Sequence, residues 1–265
     1  MSITEFLELP EGKIAYDDTG SKSDQVIICV PGIGDLRQAT RHLTPKLAQA
    51  GYRVINMDIR GHGESGTTFS SYTAATVGSD IVALLDHLDV HDAIILGNSA
   101  AGGSAVWAAA HSPLRIKSLL LCGPFVRDIP VNFVVKGILW ACMYQSWGAG
   151  FWKVYYKTLF KAHPPPDLKQ YAIKLHANLC EPGRLQALQA MMWASKADCE
   201  SCIPQVRAKT VVLMGSQDPD FSDPAAEARH VAEALSGTVR MVNEAGHYPH
   251  VEDHAAVLEV LQELA

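Results

Sequence analysis

Short apolar, largely β-branched runs recur along the chain: VIICV at 26–30, RVINM at 53–57, AIILG at 93–97, SLLLC at 118–122, TVVLM at 210–214 and VRMVN at 239–243. Most are apolar at every position, so neither face suits water. Parallel strands covered on both sides by helices have that pattern. Helical periodicity fills the intervals, over roughly 39–50, 73–89, 99–112, 222–236 and 253–264. Alternating β and α segments predict an α/β fold, a doubly wound and mostly parallel sheet flanked by helices. Before them, ITEFLEL and KIAYDD flank PEG, which predicts an antiparallel hairpin on the sheet edge.

The alternation stops between about 125 and 205. This segment holds Trp140, Trp147, Trp152 and Trp193, a cluster of Tyr and Met, and the punctuation HPPPD at 163–167. It is expected to be a helical insertion, 126–205, acting as a lid on a core made of 1–125 and 206–265. Trp140, Trp147, Met191 and Met192 are its candidate pocket residues, together with Asn98. The insertion must also bury some of its aromatics simply to fold.

Composition narrows the function. Hydrophobic residues are 48% and charged residues 19% of 265, as in an ordinary globular protein, and the net charge is −6 with no basic cluster, which speaks against nucleic acid as a partner. The start, MSITEFLELPEGK, has no basic n-region or long apolar run, so a cytoplasmic location is expected. The most apolar long stretch, 131–152, is interrupted by Lys136, Gln145 and glycines, a poor membrane span. Of six cysteines, Cys199 and Cys202 form a lone C-x-x-C. Without a second pair it reads as two reduced thiols rather than zinc ligands. Neither metal nor cofactor is expected.

The chemistry lies at strand ends. In LGNSAAGG, 96–103, Ser99 sits where a strand pattern becomes a helix pattern. It fits a nucleophile on a tight turn, with small neighbours letting strand and helix approach, and it also fits a helix N-cap. The Ala100 N–H would lie at a helix N-terminus, aimed where an oxyanion develops. Asp218 follows the strand at 210–214, with Asp220 as its competitor and Asp223 better suited to an N-cap. His247 follows the last strand. The order Ser, Asp, His is one of the triad's independent solutions. His247 would take and return the serine proton, with the acid orienting it. A second oxyanion donor is expected in VPGIGD, the Ile33 N–H or its competitor Gly34.

With these residues in place, the chain resembles the α/β-hydrolase fold superfamily, in its serine-nucleophile branch with a helical cap. PGIGD (31–35), MDIRGHGESG (57–66), LGNSAAGG (96–103), GSQDPD (215–220) and AGHYPH (245–250) carry the resemblance over nearly the whole chain. It implies an eight-stranded, mostly parallel sheet, a cap after the sixth strand, the triad Ser99, Asp218 and His247, and an oxyanion hole from Ile33 and Ala100. Three positions depart from the family pattern. Pro31 stands where the oxyanion loop usually opens with His, Asn98 where His or Tyr precedes the nucleophile, and Ala101 where a second glycine closes the elbow. The expected reaction is hydrolysis of a small, largely apolar carboxylic ester or lactone through an acyl-enzyme. C–C bond hydrolysis, acyl transfer, perhydrolysis and slow-turnover ligand sensing are the alternatives the same residues allow.

Overall fold

The structure, a computed structural model, describes residues 4–20 and 25–264. Ile3 of the expected hairpin, and the outer limits 1 and 265 of the expected core, lie outside the described residues. The strands are β1 (Thr4–Leu9), β2 (Gly12–Asp18), β3 (Val26–Val30), β4 (Arg53–Met57), β5 (Ala93–Asn98), β6 (Ile116–Cys122), β7 (Lys209–Gly215) and β8 (Thr238–Val242). They form one sheet in the order β1-β2-β4-β3-β5-β6-β7-β8. β1 and β2 pair antiparallel with each other, β2 pairs antiparallel with β4, and all other pairs are parallel.

The helices are α1 (Thr44–Gln49), α2 (Ala74–His87), α3 (Ala101–His111), α4 (Phe133–Cys142), α5 (Gly148–Thr158), α6 (Leu168–Leu179), α7 (Arg184–Trp193), α8 (Ala197–Ser201), α9 (Pro224–Ala234), α10 (Pro249–Glu252) and α11 (His254–Leu264). The fold is α/β, one eight-stranded, mostly parallel sheet flanked by helices. Five helices, α4 to α8, fall between β6 and β7. The single helix expected over 39–50 is instead a 3-10 turn at Arg37–Thr40 followed by α1. Pro45 lies at the start of α1, where its fixed φ and missing N–H are tolerated, and this sets where the helix begins.

The uniformly apolar strands bury both faces. Ile28, Val30, Ile95, Leu119, Leu121, Val212 and Met214 pack with α2, α3 and α9. The alternating Ile27, Cys29, Ile94, Leu96, Leu120, Cys122, Val211 and Leu213 pack with α1 and α11. This period of two, with apolar side chains on both sides, is what the sequence runs encode.

The loop after β4 is polar yet buried. Arg60 grips Asp80 of α2 through two hydrogen bonds, 2.8 and 2.7 Å, and donates a third to the Ser71 carbonyl. Asp58 accepts from the backbone and guanidinium of Arg37, and Ser65 bridges the Asp58 carbonyl to the Ala15 N–H. Removing one partner of such a pair strands a buried charge. Asp80→Ala should therefore destabilise the chain by about 3–5 kcal/mol in urea unfolding, whereas neutralising the exposed pair Arg240–Glu263 should change the midpoint little.

Candidate active site

Ser99 follows β5 directly, and its φ is +58°, a left-handed conformation that a serine adopts only under local constraint. The constraint is visible one turn away: a methyl group on Gly97 would lie 2.6 Å from the Ala101 carbonyl oxygen. Strand and helix meet so closely that only small residues fit, and Ala101 is small enough. The turn is pinned by the Ser99 N–H donating to the Cys122 carbonyl at 2.9 Å, and by the Ser99 carbonyl accepting from Gly102 and Phe125. The N-cap position of α3 falls to Ala100, where no side-chain cap hydrogen bond is made.

Asp218 and His247 are buried at the ends of β7 and β8. His247 Nδ1 and Asp218 Oδ2 are 2.7 Å apart. Asp220, the competitor, lies on the other edge of the ring, its Oδ2 3.6 Å from Nε2. The two carboxylates thus address opposite nitrogens of one imidazole, and one ligand atom from each of Asp218, Asp220 and His247 lies within 4.8 Å of the others. Burial works against a charged His247. The charge of Asp218, then that of Asp220 and the Asp218 hydrogen bond, outweigh it and raise the ring to about 9. Asp223 caps α9, accepting from Ala226 N–H at 2.9 Å.

The N–H groups of Ile33 and Ala100 have no hydrogen-bond partner among the described residues. Gly34, the alternative donor, is engaged: its N–H donates to His62 Nε2 at 2.9 Å. His62 Nδ1 lies 3.0 Å from the Arg60 carbonyl and donates to it in this tautomer. Burial keeps His62 neutral, lowering it to about 4. Ile33, Ala100, Ala101, Met191 and Lys196 line one narrow apolar cleft. Met192 and Ile33 both pack against the buried cluster of Met143, Ala149, Trp152, Leu179, Leu185 and Leu188.

Three of the pocket candidates stand apart from this cleft. Asn98 is buried, 1% exposed, and its amide donates to the carbonyls of Cys122 (3.0 Å) and His247 (3.2 Å). It ties the His247 loop to the sheet rather than lining a pocket. Trp140 and Trp147 are 62% and 56% exposed, the latter donating to the Ala141 carbonyl, and neither lines the cleft beside Ile33 and Ala100. Trp140 lies on α4, which buries none of its residues, and Trp147 stands at the N-cap of α5.

Other contacts were not foreseen from sequence. Trp152 Nε1 of α5 donates to the Gly34 carbonyl, 2.9 Å, and the His247 N–H donates to the Leu159 carbonyl, 2.8 Å. Asp35, fully buried, accepts from the hydroxyls of Tyr156 and Tyr171. Only the PGIGD pattern itself hinted that this loop mattered.

The chain matches the Alpha/beta hydrolase family over residues 27–260 and belongs to it. Within that family of hydrolases, it is 25% identical over 209 residues to 3-oxoadipate enol-lactonase 2 of Acinetobacter baylyi, covering 77% of this chain and 75% of that one. It is 32% identical over 130 residues to a 2-hydroxy-6-oxononadienedioate/2-hydroxy-6-oxononatrienedioate hydrolase of Paraburkholderia xenovorans, covering 46% and 45%, so that match spans under half of the relative's length. An esterase from Exiguobacterium antarcticum has the same fold, with a TM-score of 0.82, 22% identity and 98% of each chain covered.

Two outcomes check this geometry. Gly97→Ala should push β5 and α3 apart and destabilise the chain by about 1–3 kcal/mol in thermal unfolding, while Ala101→Gly should leave the melting temperature nearly unchanged. By NMR, His247 should titrate near pH 9, and Asp218→Asn should lower that midpoint, because it removes the charge that favours the protonated ring.

Proposed function

We propose that the chain is a serine hydrolase that cleaves a small, largely apolar carboxylic ester or lactone through an acyl-enzyme on Ser99. The observation carrying this reading is the buried Asp218–His247 pair, 2.7 Å, at the same sheet edge as a serine held in the left-handed turn. Asp218 fixes the ring so that Nε2 is the nitrogen left to exchange protons. Nε2 takes the Ser99 hydroxyl proton as Oγ bonds to the carbonyl carbon. The resulting oxyanion is met by the free N–H groups of Ile33 and Ala100. Nε2–H then protonates the leaving oxygen. Water, deprotonated by the same nitrogen, attacks the acyl carbon and returns Ser99. The Ser99 hydroxyl makes no hydrogen bond among the described residues, and contacts of this kind commonly tighten only with substrate bound.

The helices between β6 and β7 serve as the cap, residues 126–205 on a core of 1–125 and 206–265. Support comes from Met191, Ala194 and Lys196, which share the cleft with Ala100, and from Trp152, which seats α5 on the Gly34 carbonyl. The cleft's lining is mostly apolar and includes Pro31, Ile33, Ile59, Val77 and Met191, which favours an apolar acyl group. The relatives named for enol-lactone and oxo-dienedioate substrates support lactone cleavage first and C–C bond hydrolysis second. A cytoplasmic location suits the six free cysteines, four of them buried. No helix among the described residues is long and apolar enough to cross a membrane.

Ser99→Ala should lower kcat/KM for p-nitrophenyl butyrate by at least about 10⁴-fold with an unchanged melting temperature. Activity surviving at the parental level would overturn the mechanism. Comparison of products from an ester, a lactone and a vinylogous 1,5-diketone separates the two readings, the first predicting ester or lactone turnover to dominate.

A further inference from the structure

Nε2 of His247, the nitrogen assigned to Ser99, faces a carboxylate in the resting site. Asp220 Oδ2 lies 3.6 Å away. Asp220 is held on two sides: its N–H donates to Asp218 Oδ1 at 3.0 Å, and its other oxygen accepts from the Tyr155 hydroxyl of α5. Its side chain is only 18% exposed. The imidazole is therefore clamped between two carboxylates, one per nitrogen, where base function requires only the one at Nδ1.

The remaining surroundings do not cancel this charge. Phe125 and Phe221 flank the ring at centroid distances of 6.0 and 6.3 Å, and Tyr248 meets it edge-on at 5.7 Å. His250 of α10 is kept uncharged, lowered to about 3 by burial and by His247 itself. Lys196 lies beyond Phe125, its Nζ 6.0 Å from that ring's centroid, and its charge is met by Asp128. Tyr155 stays a phenol, because burial and then the charge of Asp220 oppose its ionisation, so it remains a hydrogen-bond donor to Asp220.

We propose that Asp220, anchored by Tyr155, is a positioning residue that holds the resting His247 as imidazolium from its Nε2 edge and so sets the pH at which the site works. This rests on the reading of His247 as the base and adds a second carboxylate to it. Two effects oppose each other. Asp220 stabilises the imidazolium formed when the Ser99 proton moves, and it also depletes the free base in the resting site at neutral pH. Because the anchor is a residue of α5, any displacement of that helix would release Asp220 from Tyr155 and loosen its hold on Nε2.

The test uses Asp220→Asn, which keeps the shape and can still accept from Tyr155, and Tyr155→Phe, which keeps the ring but removes the donor. The His247 midpoint is read by NMR on histidine-labelled protein, and the acid limb of kcat/KM by p-nitrophenyl butyrate hydrolysis. Asp220→Asn should lower both by about one to three pH units. Tyr155→Phe should move both part of the way in the same direction and add nothing to Asp220→Asn. A His247 midpoint unmoved in both folded variants overturns the proposal. The NMR reading needs no turnover, so it stands apart from the mechanism. A midpoint that falls while the activity limb stays put overturns the claim about working pH by removing His247 from the reaction.

Discussion

The closeness of β5 and α3 governs the rest of the molecule. At Gly97 there is no room for a methyl group against the Ala101 carbonyl, so the chain must turn sharply and Ser99 takes φ +58°. That one turn has three consequences. It sets Ser99 at the carboxyl edge of the sheet, where open α/β folds bind ligands. It leaves the Ala100 N–H unpaired at the head of α3. It also directs Asn98 into the crevice between strands, where its amide joins the Cys122 and His247 carbonyls. Asn98 thereby braces the loop that carries His247.

Helix α5 is the second organiser. Within one short stretch it places Trp152 on the Gly34 carbonyl, Tyr155 on Asp220 and Tyr156 on Asp35, and the residue after it, Leu159, receives the His247 N–H. The loops that carry Gly34, Asp220 and His247 all lean on the same helix. Few of these contacts are apolar, and a buried polar network of this kind specifies one arrangement because each unpaired member would be costly. In the proposed function, the inserted segment is part of the catalytic geometry as well as a cover for substrate.

The strands were legible because their runs are apolar on both faces, a pattern that leaves little alternative to buried parallel strands. Ser99, Asp218 and His247 could be picked out for the same reason, since each stands just past such a run. Long-range contacts were not legible. Asn98 beside a nucleophile reads as a pocket residue, yet its partners lie 24 and 149 residues away. The Tyr155–Asp220 bond spans 65 residues and leaves no periodic trace. Trp140 and Trp147 suggested a pocket by residue type alone, but type does not fix orientation: Trp140 on α4 and Trp147 at the N-cap of α5 are both exposed. The engagement of the Gly34 N–H by His62, 28 residues away, was equally invisible in the sequence.

The central claim is that Ser99 is the group that bonds covalently to substrate. Its most direct measurement is intact-mass and peptide mass spectrometry after treatment with a fluorophosphonate, which replaces its fluoride with the attacking oxygen and releases HF. The account predicts a single adduct on the peptide containing Ser99, formed faster as pH rises toward 9 and absent after Ser99→Ala or denaturation. No adduct, or one carried on another residue, would contradict it.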